Sequence, residues 1–280
     1  MSEILRFDHV TYTYAEGEED RAALEDCSVS VQDGERIAVL GNNGAGKSTF
    51  FLLANGVLRP QSGAVCFRGK PVGKTSRELS ALRRGVGLIF QDADAQILGG
   101  TVEEEISFGP MNLQLDGGEV RRRVDLAVEN LKLEEFRRRA PQYLSGGEKK
   151  RVTIADVLAM DPELMLLDEP ASSLDPANTR LLGENLDMLS SRGIALAVAT
   201  HDVNFAWSWA RRALVFCGGR LVADAEPETI FSDEALLRRC GLEQPLLFRA
   251  GRALGIDPLP RTAEEFETAA AALRREMKTK

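Results

Sequence analysis

Continuous apolar runs that stop at a polar residue or a glycine recur along the chain. Arg36-Ile37-Ala38-Val39-Leu40 leads into Gly41, and Val86-Gly87-Leu88-Ile89-Phe90 leads into Gln91. Leu164-Met165-Leu166-Leu167 leads into Asp168-Glu169, and the run from Ile194 to Thr200 leads into His201. Runs of this kind predict strands of a parallel sheet buried on both faces. Ligands of an open α/β sheet sit outside the carboxyl ends of its strands, so the four polar ends are expected to converge on one site. Before Gly41 the pattern predicts short antiparallel strands near residues 4–14 and 26–32, and Ser62–Phe67 reads as another. From about Ala93 to Leu158 the pattern is mainly helical. Thr101-Val102-Glu103-Glu104 has the form of a capping box, and Glu119 to Arg139 is rich in helix formers. Residues 93–150 therefore read as a helical subdomain inserted into an α/β core. Gly218-Gly219 predicts a hairpin turn. Near the end, Thr262-Ala263-Glu264-Glu265 opens a helix that places Phe266, Ala270, Leu273 and Met277 on one face. That face either packs onto its own domain or holds a second copy of the chain.

Composition narrows the class. The chain has 280 residues, 44% of them hydrophobic and 28% charged, enough for one large domain with a small appendage. No apolar run approaches the ~18 residues a membrane helix needs. Met1-Ser2-Glu3-Ile4 shows no basic start or secretory core, so a cytoplasmic protein is expected, reaching a membrane only through a partner. A net charge of −8 argues against sequence-independent nucleic-acid binding, which needs a basic face to displace counterions. Cys27, Cys66, Cys217 and Cys240 form no CxxC pair and read as small buried hydrophobes in a reducing compartment. His9 reads as a structural strand residue and Trp207 and Trp209 as helix packing. Arg121-Arg122-Arg123 and Arg137-Arg138-Arg139 read as solvated helix faces.

Three stretches carry chemistry. Gly41-Asn42-Asn43-Gly44-Ala45-Gly46-Lys47-Ser48 matches GxxxxGK[ST] between a strand and a helix predicted from Thr49 to Asn55. Its glycines let backbone N–H groups curl around phosphate oxygens, and the helix start adds positive potential. Lys47 is placed to reach the β- and γ-phosphates of a nucleotide and Ser48 to ligate Mg²⁺. An apolar strand ending in Asp168-Glu169 sets one carboxylate near the metal and one near the attacking water. Leu144-Ser145-Gly146-Gly147-Glu148 combines a capping box, from Ser145 to Glu148, with two glycines that leave N–H groups open to an anion. A bare SxxE is otherwise an ordinary helix cap. The expected cofactors are ATP and Mg²⁺.

Together these stretches resemble the ATP-binding-cassette (ABC) ATPases over most of residues 4–240. LSGGE matches the family's signature, Gln91 its Q-loop, and Ser172-Ser173-Leu174-Asp175 its D-loop. His201 matches its switch histidine and Tyr14 the aromatic that stacks on adenine; from the residues alone, Tyr14 reads first as a packed strand aromatic. The resemblance implies a P-loop core of about residues 1–240 and a C-terminal extension of 241–280. It implies nucleotide contacts from Gly41 through Thr49, Glu169 as catalytic base, and Gln91 sensing metal and water. His201 would touch the γ-phosphate in cis, and Ser145 and Gly147 would touch it in trans. Hence the chain is expected to pair with itself or with a paralogous ATPase.

The stretch from Phe90 to Gln96, Thr101-Val102-Glu103-Glu104-Glu105, Phe108-Gly109-Pro110 and LSGGEKKR look like energy-coupling-factor (ECF) transporter ATPases, above all the cobalt branch. Asp94-Ala95-Gln96, Gly99-Gly100 and Asp156 depart from that pattern. The implied protein is the motor subunit of an importer of cobalt or nickel ions, with vitamins as the alternative cargo, acting on separate integral membrane subunits. A non-transport ABC ATPase would usually carry a long coiled-coil insert or two cassettes. A small-molecule P-loop kinase would not need LSGGE or a D-loop.

Overall fold

The computed structural model describes residues 2–14 and 22–279, with side chains as far as 275. The chain opens with β1 (Glu3–Tyr12), β2 (Leu24–Gln32) and β3 (Arg36–Leu40), followed by α1 (Lys47–Ala54). Next come β4 (Ser62–Phe67), β5 (Lys70–Pro71), α2 (Ser76–Gly85) and β6 (Val86–Ile89). The helical segment comprises α3 (Val102–Asn112), α4 (Gly117–Asn130) and α5 (Gly146–Ala159). The chain then returns through β7 (Leu164–Asp168), α6 (Pro176–Ser191), β8 (Ala195–Ala199), α7 (Val203–Trp209) and the hairpin β9 (Arg212–Cys217) and β10 (Arg220–Ala225). It closes with α8 (Pro227–Ser232), α9 (Glu234–Cys240), α10 (Leu246–Leu254) and α11 (Ala263–Thr279).

Two sheets result. The strands β2-β1-β4-β5 form an antiparallel sheet, and β10-β9-β3-β8-β7-β6 form the main one. In the main sheet β9, β3, β8, β7 and β6 run parallel, with only the β10 edge antiparallel. Strand pleating sends successive side chains to opposite faces, and here each face has its own core. Ala38, Leu40, Met165, Leu167, Leu196 and Val198 join the core shared with the helical segment and the C-terminal helices. Ile37, Val39, Leu164, Leu166, Ala195 and Ala197 join the core beneath α1 and the antiparallel sheet. This double burial is why the strands read as unbroken apolar runs.

Several expectations need adjustment. Residues 93–101 form turns, not helix. Gln96 Oε1 accepts from the Phe90 N–H (3.0 Å), Asp92 Oδ1 from Asp94 N–H (2.9 Å), and Glu105 Oε2 from Leu98 N–H (2.8 Å). Side chains that satisfy backbone donors locally compete with helix. The helix expected from Glu119 to Arg139 ends at Asn130, with Lys132 left-handed (φ 53°) just beyond. The following segment turns back, so that Arg137 and Arg139 carbonyls accept from the first N–H groups of α3. Arg123 and Arg137 are only partly solvated: Arg123 donates to the Met160 carbonyl at 3.0 Å, and Arg137 bonds Glu103 and Asp125. His9 is exposed, with φ 51°, and pairs with Asp26 at 2.7 Å. It is structural through that ion pair, not through burial. Cys27, Cys66 and Cys240 are buried, whereas Cys217 is only half-buried. Trp207 and Trp209 are buried, as helix packing requires.

The region after 225 folds onto the main core. Phe248 of α10 is fully buried, edge-on to Trp207 with centroids 5.1 Å apart, and Trp207 Nε1 donates to the Pro260 carbonyl at 2.8 Å. The Thr262–Glu265 cap opens α11 as expected, and Phe266, Ala270 and Leu273 are half-buried. The Met277 side chain lies outside the described residues. Among the described residues no helix is long and apolar enough to cross a membrane.

Candidate functional site

The ends of β3, β6 and β7 open onto a cleft of about 270 Å³. Residues 42–49 line it together with Tyr14, Gln91, Asp168 and Glu169. Gly41 stands at the mouth of the loop, where β3 ends. Gly46 adopts φ 108°, and a Cβ there would lie 2.6 Å from the Ala23 carbonyl oxygen, so only glycine fits. Gly46 is also the N-cap of α1 and offers no side-chain acceptor. The first N–H groups of the helix therefore face the cleft without an internal partner, the arrangement that binds phosphate. The hairpin turn between β9 and β10 props the loop, since Gly219 N–H donates to the Ala45 carbonyl at 3.0 Å.

Lys47 is 6% exposed and its Nζ donates to the Gly41 carbonyl at 2.6 Å and the Asn42 carbonyl at 3.3 Å. It lies 3.9 Å from the Glu169 carboxylate. Burial draws its pKa below the usual lysine range, while Glu169 and Asp168 oppose the change. Tyr14 is 47% exposed, and its hydroxyl lies 3.4 Å from Thr49 Oγ1 at the start of α1. A half-exposed ring in that place suits a stacked base. Ser48 and Gln91 face solvent in the cleft, and Asp168 closes β7 in register with Ala199. A hydroxyl, an amide oxygen and a carboxylate on one cleft are a hard-oxygen set of the kind Mg²⁺ takes.

Glu169 sits one residue past the strand with φ 43° and is tied by its N–H to the Ala199 carbonyl at 3.0 Å. Its Oε2 lies 2.9 Å from His201 Nδ1. The left-handed turn swings the Glu169 carboxylate to the cleft and to the histidine together. Thus the structure brings Lys47, Gln91, Asp168, Glu169 and His201 into one neighbourhood.

Ser145 and Gly147 do not line this cleft. Ser145 caps α5: its N–H donates to Glu148 Oε2 at 2.6 Å, and its Oγ accepts from the Glu148 N–H at 3.4 Å. Over Gly147 lies the carboxamide of Asn178, and a Cβ on Gly147 would come within 2.3 Å of Asn178 Oδ1. Asn178 is itself gripped by Asp175, through its N–H at 2.8 Å and its amide at 2.9 Å. Asn178 and Lys150, which donates to the Phe90 and Gln91 carbonyls, were not singled out in the sequence. The second lysine after the signature was the only local signal for Lys150.

Comparison with known proteins gives consistent matches. The family model described as ABC transporter matches residues 24–172. The chain is 44% identical over 232 residues to the energy-coupling factor transporter ATP-binding protein EcfA2 of Methanospirillum hungatei, covering 83% of this chain but only 58% of that protein's length. It is also 44% identical over 247 residues to the cobalt import ATP-binding protein CbiO of Rhodobacter capsulatus, covering 88% of this chain and 87% of that one. Among solved structures, cbiO1 from Clostridium perfringens, part of the ABC transporter complex cbiONQ, superposes with a TM-score of 0.76 at 34% identity. That match covers 91% of this chain and all (100%) of the other. A dimeric ATP-binding cassette in a post-hydrolysis state, bound to ADP and Pi, gives a TM-score of 0.72 at 28% identity, covering 80% of this chain and 99% of the other.

Proposed function

The chain belongs to the ABC transporter family of ATPases, and on that premise we propose that it is the ATP-hydrolysing subunit of an ECF-type importer. The observation that carries this reading is the separation of two phosphate-type helix starts. One, at α1, lines the cleft with Asp168 and Glu169, while the other, the Ser145 cap of α5, stands outside it. A cleft with its own signature elsewhere is completed by a second copy or a paralogue.

In this reading residues 41–49 hold the phosphates, Lys47 reaches the β- and γ-phosphates and Tyr14 stacks on the base. Ser48, Gln91 and Asp168 hold Mg²⁺, which would offset phosphate charge when bound. Glu169 accepts a proton from the water that attacks the γ-phosphorus, as the bond to the β–γ bridging oxygen breaks. His201, oriented by its contact with Glu169, meets the γ-phosphate from the same chain, and Ser145 and Gly147 of the second subunit cover it.

The partners are integral membrane subunits on the cytoplasmic face. An exposed apolar set beside the Q-loop supports this: Leu98 is 78% exposed, Met111 62% and Phe108 56%. The cargo we favour is cobalt or nickel, supported by the relative named for cobalt import. The test is to purify the complex from detergent-solubilised membranes, reconstitute it and measure ATP-dependent uptake. Uptake of cobalt or nickel ions is expected. Uptake of a vitamin with no metal uptake would overturn the cargo, and recovery with ribosomes instead of membrane subunits would overturn the transport role.

A further inference from the structure

We propose that Lys150 is a positioning residue that ties the Gln91 loop to the signature helix, so that Gln91 and the Ser145 cap of one chain move as a unit. The inference rests on the role given to Gln91 above. Lys150 lies on α5, five residues after the Ser145 cap, and is 4% exposed. Its Nζ donates to the Phe90 carbonyl at 3.0 Å and to the Gln91 carbonyl at 2.9 Å.

Strand β6 ends at Ile89, so the sheet ladder does not bond these two carbonyls. Both hydrogen bonds are part-buried, and a single ammonium with three donors supplies both carbonyls. Burial disfavours the charge of Lys150, and Asp92 and Asp168 nearby favour it. The adjacent Lys149 adds a second tie, with its Nζ 2.6 Å from Asp94 Oδ1. The loop that carries Gln91 is thus fastened at two points to the first turns of α5. Displacing that helix, as when a second subunit's nucleotide meets the signature, must drag the Gln91 amide with it. A change at Gln91 must in turn reach the Ser145 cap.

The test compares Lys150→Met, Lys150→Arg, Gln91→Ala and the double variant Lys150→Met/Gln91→Ala in the full chain. Binding of a fluorescent ATP analogue without Mg²⁺ serves as the control for a folded P-loop. The expected result for Lys150→Met is analogue affinity within about threefold of wild type, kcat at least tenfold lower and a raised Mg²⁺ requirement. The double variant should be no slower than Gln91→Ala alone, because Lys150 acts through Gln91. Lys150→Arg still offers donors to both carbonyls and should recover most of kcat. A folded Lys150→Met with kcat within twofold of wild type, while Gln91→Ala is impaired, overturns the proposal and spares the reading of Gln91. Losses in the two single variants that multiply in the double variant overturn it too. An unimpaired Gln91→Ala overturns the reading of Gln91 and this proposal with it. Should Lys150→Met fail to fold, Lys150→Gln takes its place under the same criteria.

Discussion

Glu169 and Lys47 show how much one residue's setting decides. The Glu169 carboxylate is 12% exposed, within reach of the Lys47 ammonium at 3.9 Å and of His201 at 2.9 Å. Next to Asp168 in sequence and hydrogen-bonded to His201, it is the group best placed to take a proton from water. Glu169→Gln should therefore bind ATP normally, lose at least about a hundredfold in turnover, and accumulate a nucleotide-bound dimer. Phosphate release and size-exclusion chromatography with ATP check this, and turnover within a few-fold of wild type would remove Glu169 as the base. At this scale the sequence was informative where a motif is contiguous. Residues 41–48 declare themselves because the loop's chemistry lies in its own backbone. Lys150 and Asn178 were silent because their partners, the carbonyls of Phe90 and Gln91 and the Cα of Gly147, lie on distant elements.

Among the elements, helices with a capping box were legible: Thr101 for α3, Ser145 for α5 and Thr262 for α11. The Thr75–Glu78 box of α2 is equally complete, but no long apolar stripe follows to draw attention to it. The turns at 93–101 were illegible because side chains take up part of the work of a helix ladder: Asp92 accepts from the Asp94 N–H, and Glu105 from those of Leu98 and Gly99. A separate pocket, away from the nucleotide cleft, holds Asp156 of α5 beside Gln96, with Arg83 and Arg84 of α2 on its wall and Glu105 of α3 near by. Burial, with Glu105 adding to it and the Gln96 hydrogen bond opposing, pushes the Asp156 carboxyl up to about 7. Between the ordinary aspartate pKa of about 4 and that value, the folded chain keeps a proton that the unfolded chain has released. Stability from this group is full below about pH 4 and is lost as pH rises toward 7. Asp156→Asn removes the titration. Its melting temperature relative to wild type should rise by a few degrees between pH 4.5 and 8, as measured by differential scanning fluorimetry. A difference independent of pH would contradict the assignment.

For the molecule as a whole, the α/β core with an antiparallel sheet and a helical insert was legible, since double burial writes unbroken apolar strands. The packing of the last four helices was not, because Phe248 and Trp207 meet only in three dimensions. Phe248 fills the core between α7 and α8, so Phe248→Ala should cost about 3–5 kcal/mol in urea unfolding. A chain ending at Arg261 keeps Phe248 and the Pro260 contact with Trp207. It should lose little stability, and because Phe266, Ala270 and Leu273 are already half-buried, its monomer–dimer equilibrium without nucleotide should not change. A large loss on that truncation, or a small one for Phe248→Ala, would reverse the order proposed for these contacts.

The composite site is the central claim, and mixing two dead variants tests it most directly. Lys47→Ala removes phosphate binding, and Ser145→Arg blocks the covering surface. Each homodimer should therefore fail to occlude ATP. A mixed dimer joins Lys47 of the Ser145→Arg chain to Ser145 of the Lys47→Ala chain and so contains one intact site. Random exchange makes about half the dimers mixed, which restores about a quarter of the wild-type sites in a two-fold assembly. Occlusion or single-turnover cleavage of ATP is the readout, since steady turnover can require both sites. Recovery near a quarter is the predicted result; no occluded nucleotide, with subunit exchange demonstrated, would contradict the shared site.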